Sequence, residues 1–287
     1  MNIIAKKLFE TEAIKVANPE SPFWYTSGKI GPYFINTHFL YGSKNDADQL
    51  LSLIDSLVST PEKLIKEITE EVTGFYNSNA LYQDVMEEFV ESIKKSSLFN
   101  DATIITGGER RDWFFSILVA KLTGKRHVFI FKDLKLYDED GEIKNLNNEK
   151  VSHIADLITE ASSYERAWIP AIKNANGKLI HTASIVDRCQ GGYEFLTGQG
   201  IECYSSVKIE REFFDTALNE GILSQNQYKM IVDFTIDPNK YGSDFITANP
   251  EFMKKSLESS DKGTKSKAQR CIDENTYGID VNKLQNK

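Results

Sequence analysis

The chain has 287 residues, 40% of them hydrophobic and 26% charged, enough for one large α/β domain or two small ones around a real apolar core. A formal net charge of -8 repels phosphate backbones at a distance and argues against a large nucleic-acid surface, while leaving room for a small anion held by a local basic cluster. No stretch has the length and apolar content of a membrane span, and the sparse cysteines Cys189, Cys203 and Cys271 lack metal-ligand spacing and suit a reducing cytoplasm.

In chain order, the first eighteen residues lack both a sustained apolar run and a small-residue cleavage site, and read as an amphipathic first helix and not as a signal peptide. Residues 21–36 read as a loop with aromatic anchors. Gly28, Gly31 and Pro32 suit tight turns there, and exposed amides can meet the polar edge of a ligand. Residues 44–99 are mainly helical, with Leu50, Leu53, Ile54 and Leu57 on one face, a start at Thr60-Pro61, and Met86, Phe89, Val90 and Ile93 on another face. The pattern changes at Asn100-Asp101. Residues 102–106 form a short apolar run ending in Gly107-Gly108, which fits a buried strand.

Residues 111–123 return to helical spacing and stop at Gly124. His127–Phe131 is a second strand, and Val151–Asp156 a weaker third. The polar segment 134–150 between them reads either as a solvated hairpin or as a mobile lid. Residues 160–175 are helical despite Pro170, and Leu179–Val186 and Ile201–Val207 are further strands. After Asp237-Pro238 the composition turns polar, and the remainder reads as a surface-draped, partly disordered extension. Alternating strands and helices predict a mainly parallel sheet with both faces covered, and ligands in such sheets bind beyond the carboxyl ends of the strands.

Five segments stand at those places. Gly107-Gly108 leads into Glu109-Arg110-Arg111, where amides at a helix start plus two guanidiniums suit a phosphate or pyrophosphate; an exposed charged turn is the bland alternative. Trp113, Phe114 and Phe115 behind it are core. Lys132 and Lys135 stand at the mouth of the polar segment, as leaving-group cations or as solvated lysines. Asp156 ends a strand and precedes a turn bearing Thr159, Ser162 and Ser163. The carboxylate can hold ribose hydroxyls or a hydrated magnesium, and the turn can hold a phosphate or merely cap a helix. Asp187-Arg188 leaves another strand, where Arg188 fits a substrate carboxylate or forms a strand-end ion pair. The fifth segment is the aromatic loop at 21–36.

In this order the five resemble the orotate phosphoribosyltransferase family over about residues 20–208. The matching positions are Ser27-Gly28-Lys29 with Pro32-Tyr33-Phe34, then Gly107–Asp112, then Lys132 and Lys135, then Val186, Asp187, Arg188 and Gly191. The resemblance implies a type I phosphoribosyltransferase-like α/β domain at 1–236, with a hood at about 1–43, a helical insertion at about 60–80, a core at about 100–208, and the polar extension 237–287 outside it. It implies transfer of a phosphoribosyl group from phosphoribosyl pyrophosphate to a nucleobase, orotate by default, in a cytoplasmic homodimer. Mg²⁺ would be bound through the substrate, with no direct protein ligand. In that scheme Lys135, Lys132 and Asp156 are catalytic, and Arg110, Arg111, Thr159, Ser162 and Ser163 bind phosphate or pyrophosphate. Arg188 and the Phe34–Ile35 backbone grip the base.

Several positions depart from the family pattern. Ala155 replaces the first of two acids, Ala161 a glycine, Phe131 an arginine and Thr26 a lysine, and Glu160 enters the phosphate turn. One like charge ~4 Å from the phosphate would cost roughly 4 kcal/mol at an effective dielectric of about 20, enough to cripple binding. The second expectation is therefore a catalytically impaired protein on the same fold that binds a nucleotide or sugar phosphate in a regulatory role. Glu160 discriminates: turned inward it favours the impaired protein, turned outward the enzyme.

Overall fold

A computed structural model describes residues 1–279. In chain order these form α1 (Ile3–Glu10), β1 (Ile14–Val16), β2 (Phe23–Trp24), β3 (Ile30–Gly31), β4 (Tyr33–Ile35) and a 3₁₀ turn at Thr37–Tyr41. Next come α2 (Lys44–Leu57), α3 (Pro61–Ser78), α4 (Ala80–Ile93), α5 (Ser97–Asp101), β5 (Ile104–Gly108), α6 (Trp113–Thr123) and β6 (Arg126–Ile130). They are followed by β7 (Leu136–Asp138), β8 (Gly141–Ile143), β9 (Lys150–Ile158), a π turn at Tyr164–Trp168, α7 (Ile169–Asn174), β10 (Lys178–Asp187), α8 (Gly192–Gly198) and β11 (Glu202–Lys208). The last helices are α9 (Arg211–Asn219), α10 (Gln225–Ile236), α11 (Pro238–Ala248), α12 (Pro250–Leu257) and α13 (Lys262–Asp273).

The chain divides into two compact units. The first is Met1–Ala13 with Asn36–Phe213; the second is Ile14–Ile35 with the described residues from Phe214 on. The division therefore does not follow the change of composition at residue 237.

The first unit carries a seven-stranded sheet of order β11-β10-β9-β5-β6-β7-β8, parallel from β11 to β6 and antiparallel beyond. Successive side chains leave a strand on opposite faces. On β9, Ser152 bonds His181 on the face of Phe99 from α5, while His153 meets Tyr164 and Trp168 on the other. One face is filled by α6, all of whose residues from Trp113 to Ala120 are buried. The opposite face packs Ile104, Val128, Ile130 and Val151 under Tyr164, Trp168, Ile172 and Leu196. Burying each such large side chain contributes about 1.5–3 kcal/mol. The expected helices at 44–99 and the core placement of Trp113, Phe114 and Phe115 are all observed.

Chain order reverses at one point in the sheet: β6 lies on one side of β5, and β9, β10 and β11 on the other. At that switch β5 and β9 pair only from Ile104↔Val151 to Thr106↔His153, so their carboxyl ends separate and leave a crevice.

Two expectations change and two gain a physical account. The first helix stops at Glu10, because Glu12 takes a left-handed φ of 55° and Ile14–Val16 becomes a strand. The strand at Val151–Asp156 runs for nine residues; its polar Ser152 and His153 interrupt the apolar pattern but are bonded to His181 and Thr106. Pro170 does not break the helix after residue 160, because a π turn precedes it and places the proline in the first turn of α7, where its missing N–H is tolerated. The segment 134–150 contains a hairpin: β7 pairs with β6 through Phe129↔Tyr137 and Ile130↔Leu136, and β8 folds back on β7.

The second unit contains two small antiparallel pairs, β1 with β4 and β2 with β3. The aromatic loop is thus a hairpin, turning at Gly28 with φ 74°. Its Trp24 donates to Ser256 Oγ at 2.9 Å and, with Ile30, packs on Ile246, Met253, Ala268 and Cys271. Those anchors correct the reading of the polar C-terminal segment as draped and disordered. They recur one or two per helix, too sparsely to raise the mean hydropathy, while Asp237 and Asp261 cap α11 and α13. Residues 280–287 of the expected extension lie outside the described residues.

Candidate active site

The crevice past β5 and β9 opens into a cavity of about 340 Å³, the size of a small-ligand pocket. Gly108, Glu109, Arg110, Arg111 and Asp112 form one wall, residues 155–159 and 161–164 another, with Lys132 and Trp168 at the sides. Seven of the sequence-derived residues therefore share one hollow: Arg110, Arg111, Lys132, Asp156, Thr159, Ser162 and Ser163. Lys135 and Arg188 do not line it. Lys135 is half exposed, its Nζ 3.8 Å from Asp133 Oδ2. Arg188 donates its backbone N–H to Ile158 O at 2.9 Å, and its Nε is buried without a partner. Phe34 and Ile35 lie in β4 of the second unit, opposite Lys15 and Ile14.

Close backbone approach shapes the first wall. A methyl group on Gly107 would lie 2.1 Å from Ser116 Oγ, and one on Gly108 2.2 Å from the Trp168 ring. Neither position tolerates a side chain without displacing a buried neighbour. Past the glycines, Arg110 pairs with Asp55 of α2, while Lys132 Nζ lies 3.2 Å from Glu109 Oε1 and its N–H donates to Glu109 Oε2 at 3.0 Å.

The phosphate turn leans on the next strand end. Gly192 donates to Thr159 O at 2.9 Å, and a methyl group on it would lie 2.5 Å from that oxygen. Ala161 holds a left-handed φ of 57°, a backbone suited to glycine that costs an alanine about 1–2 kcal/mol. Glu160 is exposed and absent from the lining, the orientation that favours the enzyme over the impaired protein.

Asp156 is the acid at the cavity floor. Its Oδ2 accepts from Thr37 Oγ1 at 3.0 Å, and its N–H donates to Asp112 Oδ1 at 3.0 Å. Burial and the neighbouring Asp112 carboxylate push its carboxyl up to about 7, against the pull of the Arg111 guanidinium. The motif reading gave no role to Thr37, Asp112, Tyr164 or Trp168. Asp112, immediately after the arginine pair, was the one with a local sequence signal; the others meet the site only through the fold.

No family model matches the chain. In sequence it is similar to the orotate phosphoribosyltransferases of Sulfolobus acidocaldarius, 22% identical over 80% of this chain and 95% of that protein, and of Sulfurisphaera tokodaii, 23% identical over 80% and 96%. It is also 27% identical to the adenine phosphoribosyltransferase of Yersinia pseudotuberculosis, over 57% of this chain and 95% of that protein. Leishmania donovani UMP synthase matches in structure with a TM-score of 0.54 and 16% identity over 80% of this chain, which spans 41% of that protein. Francisella tularensis orotate phosphoribosyltransferase matches with a TM-score of 0.52 and 15% identity, over 81% and 97%. The chain thus has the type I phosphoribosyltransferase fold, and the resemblance to orotate phosphoribosyltransferases read from its motifs is borne out as that of a divergent relative. Among the described residues no helix is long and apolar enough to cross a membrane.

Two outcomes follow from this geometry. Ala161→Gly releases the left-handed strain while adding unfolded-chain entropy, so a net stabilisation of up to about 1 kcal/mol is expected in chemical denaturation; a loss of stability would contradict the assigned strain. Asp156, with its folded pKa raised above the unfolded value of about 3.9, contributes stability that is complete below that value and lost as pH rises through about 7. Wild type should therefore lose stability relative to Asp156→Asn between pH 4 and pH 8, read as the difference in thermal midpoints, whereas a difference independent of pH would exclude a buried, titrating carboxyl.

Proposed function

We propose that the chain transfers a phosphoribosyl group from phosphoribosyl pyrophosphate to a nucleobase, with orotate the first acceptor to test. The observation that supports this most is the meeting of Arg111, Asp156 and Ser162 in one cavity at the sheet's switch point. In this reading Thr159, Ser162 and Ser163 take the 5′-phosphate and Asp156 accepts a ribose hydroxyl. Arg110, Arg111 and Lys132 face the pyrophosphate. Arg188, at the end of β10, takes the acceptor's carboxylate. Bond breaking leaves positive charge on the sugar and negative charge on the leaving pyrophosphate, so placed cations and exclusion of water supply the acceleration.

Magnesium belongs to the same proposal, on the charge of the lining. Three cations, Arg110, Arg111 and Lys132, meet three acids, Glu109, Asp112 and the partly protonated Asp156, so the cavity alone offers a polyanion only a small net attraction. In this reading the ion enters on the substrate's own oxygens, with no direct protein ligand. When bound it neutralises pyrophosphate charge. A cytoplasmic homodimer completes the reading, with Lys135, outside its own cavity, serving the partner's.

The deciding experiment measures magnesium-dependent pyrophosphate release with orotate, and with adenine as the competing acceptor. Lys132→Ala should lower kcat/KM by roughly 10²-fold. Lys135→Ala should depress turnover far more than ground-state binding. Mixing Lys135→Ala with Asp156→Ala subunits should recover turnover, because hybrid dimers regain one intact site. No turnover with any base in a folded sample ends the proposal, and no recovery on mixing ends the shared-site dimer.

A further inference from the structure

The end of β9 delivers a single acid, Asp156, because Ala155 stands before it. A second carboxylate reaches the same place from the opposite wall. Asp112 Oδ1 accepts the Asp156 N–H and Oδ2 accepts the Gly108 N–H, each at 3.0 Å. Those two bonds cross the gap where β5 and β9 no longer pair. The everyday explanation for an aspartate at this point is helix capping, but Asp112 makes no side-chain cap bond to α6. Behind it lies His153, wholly buried, with Nδ1 2.9 Å from Thr106 Oγ1 and Nε2 3.4 Å from Asp112 Oδ2 and no hydrogen-bond partner of its own.

We propose that Asp112 is a positioning residue that replaces, from the turn between β5 and α6, the acid missing at Ala155: its carboxylate locks the two strand ends together and shares a proton with Asp156. The consequence for catalysis rests on the phosphoribosyl-transfer reading; the proton sharing does not. The Asp112 carboxylate, its Oδ1 3.0 Å from the Asp156 nitrogen, adds its charge to burial in raising the Asp156 carboxyl. A like charge held beside Asp156 opposes its ionisation, so Asp156 keeps its proton to higher pH than a lone carboxyl would. The other groups facing it are Arg111 from the same turn, Thr37 from the 3₁₀ turn, Tyr164 from the π turn, whose phenol burial keeps neutral, and His153. With a proton held between the two carboxyls, Asp156 presents itself to a vicinal diol and Asp112 acts only through it.

The test is a titration of the substrate-free full chain by ¹³C NMR at the aspartate carboxyl carbons, alongside the pH profile of kcat/KM. Wild type should show Asp156 titrating in two coupled steps. In Asp112→Asn the Asp156 midpoint should fall by about one pH unit or more, and the acid limb of kcat/KM should move with it. Adding Ala155→Asp to Asp112→Asn should restore the two-step titration and raise turnover by about tenfold over the single variant, a rescue that a merely structural Asp112 would not permit. An Asp156 midpoint unmoved in Asp112→Asn overturns the proposal. If that variant does not fold, a single uncoupled step for Asp156 in wild type overturns it, and a two-step titration supports it. Absence of all turnover in wild type would end the phosphoribosyl-transfer reading, while the titration would still decide the shared proton.

Discussion

Parallel strands hold together only while their amides and carbonyls stay in register, and β5 and β9 leave register after Thr106 and His153. Beyond that point each strand end has polar backbone that must find another partner. Gly108 and Asp156 give their N–H groups to the two oxygens of Asp112, and Glu109 gives its N–H to Ile130 O at 2.8 Å. The separation is thus stabilised on both sides. Everything else at the site depends on it: the room for a ligand, the inward turn of residues 159–163, and the exposure of Arg111 over the opening.

The architecture was legible because it is written in period and length. Apolar runs ending in glycine marked β5, and helical spacing marked α2, α3, α4 and α6. The site was legible where chemistry is local, as in Arg110-Arg111 or the turn from Thr159 to Ser163. What remained hidden depends on contacts distant in sequence. Thr37 meets Asp156 across 119 positions, and no local pattern signals that bond. The helices after Pro238 were hidden for a different reason: each needs only one or two buried anchors, Ile246, Met253 or Cys271, so composition reads as solvent-exposed chain. Lys135 shows the limit of matching by position, since its place in the motif order says nothing of the direction its side chain takes.

The substitutions that set this chain apart from the family pattern also differ in weight. Glu160 points away from the cavity, so the Coulomb penalty expected of it does not arise. Ala161 does carry a cost, since its left-handed backbone is retained without glycine. The turn keeps that conformation because Gly192 presses against it and Ser162 continues into the π turn and α7. Strain held in place by surrounding packing is common where a loop must present its amides to a ligand.

The hairpin β7–β8 bounds how much of the neighbouring loop can rearrange. Its first strand is zipped to β6 at Phe129 and Ile130, and Phe131 N–H donates to Lys135 O at 3.0 Å, closing a tight turn with Leu134 at φ 67°. Only the stretch from Phe131 to Lys135 can change shape while the ladder stays intact. A tether of about five residues, fully drawn out, spans at most roughly 17 Å, and one fastened at both ends covers far less. Rearrangement there amounts to flipping a short arch that carries two lysines, and any wider sweep would require the outer edge of the sheet to peel away.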